Sequence, residues 1–544
     1  MGSSFDRFLR IREFLSRYGF LIFSVLYLIL AFRLLPDYGL GFDSPKNFSE
    51  GEINLNYLLT HYTLPDIDQF NLSFQIHGAL FFMIGEACRQ VFSQWLGWID
   101  PVSARHAFLP FLTLLFLNVY YNFLKKRTGP FFAAATCLTV LTYPHFFGHS
   151  FNNIKDIPLF VFFSVSVLLF YEWAASGFRG LRWLYACSTA LGISLAGKLY
   201  TLIAPGIIAL WLITSRWMGI PLPEKSENPE KEPAPFRWSR ERVFHVCAAI
   251  LIAAAIAAFF FMPGFYGIEE KARFWRSKSK AVKDLLGIKN KAWSFYPLIQ
   301  IFYVTPALTL LAATWGILKT WLRRSRHSLD LLMMIWLGTV IGIACSPLLP
   351  VYNGIRLFMT YLVPFSYFAT GGILDAGERI ATRFSLKKSW LGWELAAMVI
   401  GAQLFGILTT HPYETAFFNF FAGGLKGAQE KNIPDAGDFW LTSYREGIAW
   451  VNRHAPRNSF LLVPNPNSFL MVEYYNPRED IRYDFVRRRI LPRNSFLLMV
   501  PNKASWQSLS TSACKDIEDE MKSMIKVYEI KRQGGEISTI YYKP

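Results

Sequence analysis

Long apolar blocks alternate with short polar connections over the first 410 residues of the chain. Each block approaches the ~20 residues that a helix needs to cross the hydrocarbon core of a bilayer. The pattern therefore predicts about eleven membrane-spanning helices. Their expected ranges are 19–36, 104–124, 129–147, 157–175, 182–197, 199–216, 244–262, 297–321, 329–348, 354–373 and 390–410.

Basic residues recur in every second connection, as expected for loops on the cytoplasmic side. The N-terminal segment and the alternate loops carry Arg7, Arg10, Arg12, Arg17, Lys125, Lys126, Arg127, Arg179, Arg182, Lys225, Lys231, Arg237, Arg240, Arg242, Arg323, Arg324, Arg326, Arg379, Arg383, Lys387 and Lys388. This phase predicts a cytoplasmic N-terminus and an odd number of spans. The lysine-rich loop 263–296 falls on the outer side and departs from the pattern. Segment 71–100, interrupted by charges, is interpreted as amphipathic helices along the outer interface.

Composition agrees with a membrane protein. The 544 residues are 52% hydrophobic and only 17% charged, with a formal net charge of +17. In a soluble protein this charge would suggest nucleic acid, but cytoplasmic loops and anionic lipid headgroups account for it here. We therefore expect membrane lipids, and no nucleic acid, as partners. The six cysteines are scattered and form no C-x-x-C motif, which argues against a disulfide framework. The first apolar block is long and lacks a small-residue cleavage site, so it is interpreted as a signal anchor.

The composition changes at about residue 411. A helix is predicted over 436–455, followed by strands at 460–463, 482–486, 496–500 and 525–530. The segments that begin at Asn458 and Asn494 are near copies, which two similar strands of one sheet would explain. The predicted fold is mostly α. It comprises a polytopic helical bundle over 1–410 and a small α/β domain over 411–544 on the outer side.

Polar residues that are difficult to explain structurally fall on the predicted outer side. Asp43 follows the first span, where a carboxylate could act as a general base or simply be a solvated loop residue. The second outer loop holds His145, His149, Asn152, Asn153, Lys155 and Asp156. So many polar groups beside lipid favour a water-accessible site. Asp156 could equally cap the helix that follows.

Two further cations lie at predicted outer ends of spans. Lys198 and Arg356 could bind a phosphate, or could extend to the interface as basic residues near helix ends often do. The spacing of His145 and His149 allows a metal ion, although Pro144 and Gly148 disfavour a regular helix there. A divalent ion such as magnesium or manganese remains open. No Walker A, G-x-G-x-x-G or H-E-x-x-H motif is present, so the sequence provides no nucleotide site and a sugar donor used outside would be lipid-linked.

Two long motifs carry a resemblance to a known group of proteins. They are Phe147-Gly-His-Ser-Phe-Asn-Asn-Ile-Lys-Asp-Ile-Pro and His411-Pro-Tyr-Glu-Thr-Ala-Phe-Phe-Asn-Phe-Phe-Ala-Gly-Gly-Leu-Lys-Gly-Ala, the second followed by Asp438-Phe-Trp. With the acidic first outer loop, they resemble the polyprenyl-phosphate-sugar-dependent GT-C glycosyltransferases. That group includes protein O-mannosyltransferases and aminoarabinose transferases of lipid A. The resemblance covers most of residues 1–455.

The resemblance implies an inverting transfer from a polyprenyl-phosphate-linked sugar to an acceptor that the sequence does not identify. Asp43 would be the general base, with Glu50 in reserve, since the family often has Asp-Glu where this chain has Asp43-Ser44. Asp156 would be the second acidic residue, and Lys155, Lys198 and Arg356 would bind phosphate. His145, His149, Asn152 and Asn153 would line the substrate pocket. The resemblance also favours a bacterial inner membrane.

Two alternatives remain open. A transporter or flippase of a lipid-linked saccharide would place polar residues at the bilayer midplane and often shows internal repeats, which are not apparent here. A non-catalytic membrane scaffold would tolerate replacement of Asp43 or Asp156.

Overall fold

The structure is a computed structural model that describes residues 2–60, 78–223, 239–261, 292–323, 327–348, 351–385, 388–464, 466–486, 491–501 and 517–544. The helices of the first 410 residues are α1 Gly2–Leu34, α2 Ser44–Thr60, α3 Leu80–Cys88, α4 Pro101–His106, α5 Leu109–Thr128, α6 Pro130–Leu141, α7 Pro144–Asn152, α8 Asp156–Ala175, α9 Leu181–Leu195, α10 Ile203–Trp217, α11 Arg240–Phe261, α12 Tyr296–Val304, α13 Ala307–Leu322, α14 Ser328–Cys345, α15 Leu362–Arg383 and α16 Lys388–Thr410. The C-terminal part adds α17 Gly424–Glu430, α18 Tyr444–His454 and α19 Pro466–Glu473. Its strands are β1 Phe460–Val463, β2 Arg482–Phe485, β3 Ser495–Met499, β4 Ile525–Arg532 and β5 Gly535–Lys543.

The predicted fold class is confirmed, with a slightly different number of spans. Eight helices of the described part are long and apolar enough to cross a membrane, or up to ten if each of two bent helix pairs is one span. The predicted span 182–197 corresponds to α9, which has only 15 residues. At 1.5 Å per residue it is about 22 Å long, shorter than a typical hydrocarbon core. Much of the lysine-rich loop 263–296 lies outside the described residues.

Both bends occur at prolines. Helices α6 and α7 meet at 67°, and α12 and α13 meet at 120°. The residues before Pro144 and Pro306 are Tyr143, with ψ of 117°, and Thr305, with ψ of 128°. A proline ring disfavours helical backbone in the residue before it, so each helix ends there and the next begins in a new direction.

Helix α7 corrects one expectation. Pro144 and Gly148 were expected to disfavour a helix in this region, yet Pro144–Asn152 is α-helical. Pro144 occupies the first turn, where its missing N–H has no intrahelical role. Gly148 faces a close neighbour, since a Cβ there would lie 3.1 Å from Cβ of Glu414. The helix therefore places His145 and His149 one turn apart on the same face.

A five-stranded sheet of order β2-β1-β3-β5-β4 forms the C-terminal part. β1 pairs in parallel with β2 and β3, whereas β5 is antiparallel to β3 and β4. The near-copy segments do form two strands of this sheet, β1 and β3. Asn458 and Asn494 both adopt positive φ, 60° and 55°, before them. The sequence did not predict β5, and α18 begins at Tyr444 instead of residue 436.

The C-terminal part packs directly on the membrane helices. One hydrophobic cluster extends from Tyr27 in α1 to Ile540 in β5. Tyr475 Oη accepts a hydrogen bond from the backbone N–H of Leu40 at 2.6 Å. Arg445 Nη1 donates to the carbonyl of Tyr38 at 3.2 Å. The segment between α1 and α2 is therefore held between the two parts of the chain. The division of the chain into two domains at residue 410 stays a prediction.

Candidate functional site at one end of the helical bundle

Five charged residues that are far apart in sequence meet at one end of the bundle. Asp43 lies between α1 and α2, and Lys155 and Asp156 lie at the start of α8. Lys198 follows α9, and Arg356 begins a short 3-10 turn before α15. Each residue sits at or beside a helix end, where the chain turns. The fold thus brings together the acidic and basic residues that the sequence singled out.

Asp156 is the buried centre of this cluster, with 1% of its surface exposed. Its Oδ1 accepts a hydrogen bond from Lys198 Nζ, and its Oδ2 accepts one from Arg356 Nη1 at 3.2 Å. Asn153 Nδ2 also donates to Oδ2, at 2.9 Å. A buried carboxylate needs such partners to remain charged. Asp156 therefore holds two cations in fixed positions.

Asn153, two residues before Lys155 at the N-cap position, binds the first N–H groups of helix α8. Its Oδ1 accepts hydrogen bonds from the backbone N–H groups of Lys155 at 3.2 Å and Asp156 at 2.9 Å. These N–H groups lack intrahelical partners at a helix start, which a side-chain oxygen satisfies. The Asp156 carboxylate is thereby left to bind Lys198 and Arg356.

Asp43 is the accessible carboxylate of the cluster. Its side chain is 42% exposed, and its Oδ2 accepts from Lys155 Nζ at 2.5 Å. Burial opposes ionisation of Asp43, but the charges of Lys155, Arg356 and Lys198 outweigh it and lower its pKa. Asp43 is therefore ionised and reachable from outside the protein.

The cluster carries an excess of positive charge. Lys155, Lys198 and Arg356 contribute three positive charges against the two negative charges of Asp43 and Asp156. Burial lowers the pKa of Lys198, and Asp156 counteracts this. A net charge of +1 in a partly desolvated site favours binding of an anion.

The two histidines and Asn152 bind neighbouring protein groups. His145 Nε2 lies 3.0 Å from the carbonyl oxygen of Phe417. Asn152 Nδ2 donates to the carbonyl of Gly39 at 3.3 Å. His149 Nδ1 lies 3.3 Å from Asn153 Nδ2. These contacts connect α7 to the segment before Asp43 and to the C-terminal part. The predicted role of these side chains in a substrate pocket stays a prediction.

The described residues contain no group of three or more His, Cys, Asp or Glu side chains arranged to hold a metal ion. Both carboxylates of the cluster already bind basic side chains. Glu50 lies about two helical turns beyond Asp43 on α2 and is half-buried. Its proposed role as a reserve base also stays a prediction.

Trp440 belongs to the site, although sequence reasoning did not include it. The Arg356 guanidinium carbon lies 5.1 Å from the centroid of the Trp440 ring. A Cβ on Gly41 would lie 3.0 Å from Cε3 of the same ring, so the segment of Asp43 passes directly over it. The motif Asp438-Phe-Trp contains this residue, but the sequence alone does not show that Trp440 lies beside Arg356 and Gly41.

Basic residues gather at the opposite end of the bundle. Helix α8 begins at Asp156 and spans about 30 Å. Near its other end Glu172 pairs with Arg127 Nη1 at 3.0 Å. Asp375 in the second half of α15 pairs with Lys319 at 2.9 Å and with Arg379 at 2.7 Å. The basic loops and the candidate site therefore lie at opposite ends of the helices.

The fold and the site define a multi-pass membrane protein with a positively charged cluster, built around two carboxylates, at one end of its helices. No family model and no curated protein matches the chain. Among solved structures, the chain is similar to ArnT from Cupriavidus metallidurans in the apo state, with 12% identity, a TM-score of 0.48, and coverage of 97% of this chain and 98% of that one. ArnT bound to undecaprenyl phosphate gives 13% identity, a TM-score of 0.47, and coverage of 96% and 98%.

A third similar structure is the archaeal oligosaccharyltransferase AglB from Archaeoglobus fulgidus, in complex with an inhibitory peptide and a dolichol-phosphate. The identity is 11% and the TM-score 0.46, with 86% of this chain and 64% of that chain covered. These proteins belong to the group of GT-C transferases that the sequence motifs resemble. Because the identities and scores are low, the function is argued from the residues of this chain.

Proposed function

We propose that the protein is an inverting glycosyltransferase that uses a polyprenyl-phosphate-linked sugar as donor. The observation that carries this proposal is the pairing of an exposed, ionised carboxylate with a buried, net positive cluster at one end of the bundle. Asp43 provides the carboxylate, and Lys155, Lys198 and Arg356 provide the charge. A group transfer from a phosphate carrier needs both a base and an anion site.

Asp43 acts as the general base on the acceptor. Its carboxylate accepts the proton of an acceptor hydroxyl or amine as the acceptor atom bonds to the anomeric carbon. The bond from that carbon to the phosphate oxygen breaks, and its electron pair leaves with the polyprenyl phosphate. Attack from the face opposite the phosphate inverts the anomeric configuration. The lowered pKa keeps Asp43 deprotonated over the physiological range.

The cations stabilise the departing phosphate. Charge on the phosphate increases as the bond to the sugar breaks, and fixed cations in a water-poor site stabilise that change. Asp156 keeps Lys198 and Arg356 in place without cancelling the net charge of the cluster. Replacement of either cation should therefore lower the turnover rate.

The site faces the extracytoplasmic side in this proposal. Lys126, Arg127 and Arg379 lie at the other end, and basic residues favour the cytoplasmic side. A bacterial inner membrane, with the C-terminal part outside, is the location we infer. The acceptor is a protein, lipid or glycan on that side.

The test compares cells that carry the wild type, Asp43→Asn or the control Glu430→Gln at equal membrane expression. Glu430 is 65% exposed in a surface ion pair, so its replacement should be neutral. Removal of a general base typically costs 10²–10⁴-fold in rate. We expect Asp43→Asn to abolish one glycan and to let its polyprenyl-phosphate sugar accumulate, as measured by mass spectrometry. Glu50→Gln should retain activity.

Unchanged glycans in Asp43→Asn would refute the transferase proposal. A transporter would then be supported if the Asp156→Asn strain distributed the lipid-linked sugar between the two sides of the membrane differently from the wild type, while sugar transfer itself was unchanged. A scaffold would be supported if both variants matched the wild type in every lipid and glycan pool.

A further inference from the structure

The loop 438–443 of the C-terminal part is tightly ordered around a buried carboxylate. Asp438 is 1% exposed. It accepts hydrogen bonds from the N–H of Trp440 at 3.2 Å, the hydroxyl of Thr442 at 3.1 Å and the N–H of Ser443 at 2.7 Å. These contacts fix the backbone on both sides of Trp440.

Leu441 in this loop has a conformation that leucine rarely adopts. Its φ is 62°, in the left-handed region, and its side chain is 1% exposed. A non-glycine residue in this region is strained and persists only where its surroundings impose the conformation. Such strain is concentrated at functional sites, which directs attention to the adjacent Trp440.

Trp440 lies between the base segment and the cation cluster. Its ring is 3% exposed. The Arg356 guanidinium carbon lies 5.1 Å from the ring centroid, and the edge of the His149 ring packs against it at 5.1 Å. Gly41, two residues before Asp43, passes so near that an added Cβ would meet the ring at 3.0 Å. One side chain therefore contacts both the segment of Asp43 and the cation bound to Asp156.

We propose that Trp440 is a positioning residue that sets the placement of Asp43 and Arg356 relative to each other, which makes the loop 438–443 part of the catalytic centre. This inference rests on the proposed function for the roles of Asp43 and Arg356. It gives the C-terminal part a role within the transfer reaction itself, in addition to any contact with an acceptor.

The electronic character of the ring suits this role. A guanidinium near an indole ring is attracted to the negative face of the ring, more strongly where water is excluded. Within the described residues, Arg356 Nε is buried and has no hydrogen-bond partner, while Nη1 binds Asp156. An arginine whose plane is fixed presents its remaining N–H groups in a set direction, which suits recognition of a phosphate.

The first test measures binding of undecaprenyl phosphate to the purified full chain in detergent. We expect Trp440→Ala to weaken binding about tenfold, which corresponds to a cation–π contact in a desolvated site. Trp440→Phe retains an aromatic ring and should restore most of the affinity. Trp211→Ala is the control, because Trp211 is fully buried far from the cluster and donates to the Ser328 carbonyl.

The second test measures how the transfer rate depends on pH. Arg356 is one of the charges that lower the pKa of Asp43, so a displaced Arg356 should move the acidic limb to higher pH. Trp440→Ala should show this shift and Trp440→Phe should not. Gly41→Ala, which would place a methyl group against the same ring, is a second variant and should give the same shift. Loss of general stability alone would leave the limb unmoved.

The outcomes separate this inference from the proposed function. If Asp43→Asn abolishes the glycan but Trp440→Ala and Gly41→Ala match the wild type in affinity and pH profile, the positioning role is wrong and the transferase proposal stands. If Asp43→Asn is silent while Trp440→Ala weakens phosphate binding, the proposed function fails and Trp440 only orders an anion site.

Discussion

Replacement of Asp156 by asparagine tests the electrostatic account of the site most directly. Asp156 is fully buried and binds Lys198 and Arg356, whose side chains are 10% and 3% exposed. Asparagine preserves the shape but removes the carboxylate charge that both buried cations bind directly. Removal of one partner from a buried ion pair typically costs 3–5 kcal/mol. We expect a loss of folding stability of about this size.

Asp375→Asn is the matched control for this experiment. Asp375 is also buried, at 3%, but its partners Lys319 and Arg379 are 24% and 56% exposed. Water can hydrate those cations once the carboxylate is gone, so the loss should be about 1 kcal/mol. The free energy of unfolding of both purified variants is measured by denaturation in the same detergent and at the same temperature.

The pH dependence of the Asp156→Asn variant adds a second measurement. Burial already lowers the pKa of Lys198, and Asp156 is its main opposing partner. Without Asp156 the folded state favours neutral Lys198 even more, so it binds fewer protons than the unfolded state. Stability of the variant should therefore rise with pH until the unfolded lysine also deprotonates. Equal losses in Asp156→Asn and Asp375→Asn, or a stability that falls with pH, would refute this reasoning.

Two further predictions follow from the same segment of the chain. Because the pKa of Asp43 is depressed, kcat/KM should fall only at a pH below the ordinary range for aspartate. Lys155→Met removes the bound cation and should move this acidic limb of the pH profile to higher pH. An acidic limb that does not move would contradict the pairing of Asp43 with Lys155. Gly39→Ala should cost about 1–3 kcal/mol in folding stability, since a Cβ there would lie 2.0 Å from the Thr442 carbonyl oxygen. Gly206→Ala, with nothing within 4 Å, should not lower the stability in the same unfolding assay.

The sequence predicted the fold class and the residues of the charged cluster for a physical reason. Apolar blocks of membrane length and unexplained polar residues at their ends are both visible in a linear chain. Asp43, Lys155, Asp156, Lys198 and Arg356 were each chosen because a charge at a span end requires an explanation. Their mutual distances were not predictable, because these depend on how the helices pack.

Other features depended on tertiary contacts that the sequence does not display. Helix α7 forms although Gly148 is a weak helix former. The small size of Gly148 lets the helix pack closely on Glu414, and this tertiary contact is not visible in the sequence. Strand β5 was missed because its pairing with β3 and β4, and not its own pattern, stabilises it. The importance of Trp440 arises from its neighbours Gly41 and Arg356, which are 399 and 84 positions away in the sequence.

The order of strands in the sheet affects the order in which the protein can mature. β5 follows the other four strands in sequence but lies inside the sheet, between β3 and β4. Gln429, shortly before the loop of Trp440, donates to the carbonyl of Glu536 in β5 at 2.7 Å. A ribosome-bound chain without β5 would therefore hold an unfinished sheet beneath that loop. Membrane insertion of the helices can precede activity, which would begin only after the segment of β5 has been synthesised and has joined the sheet.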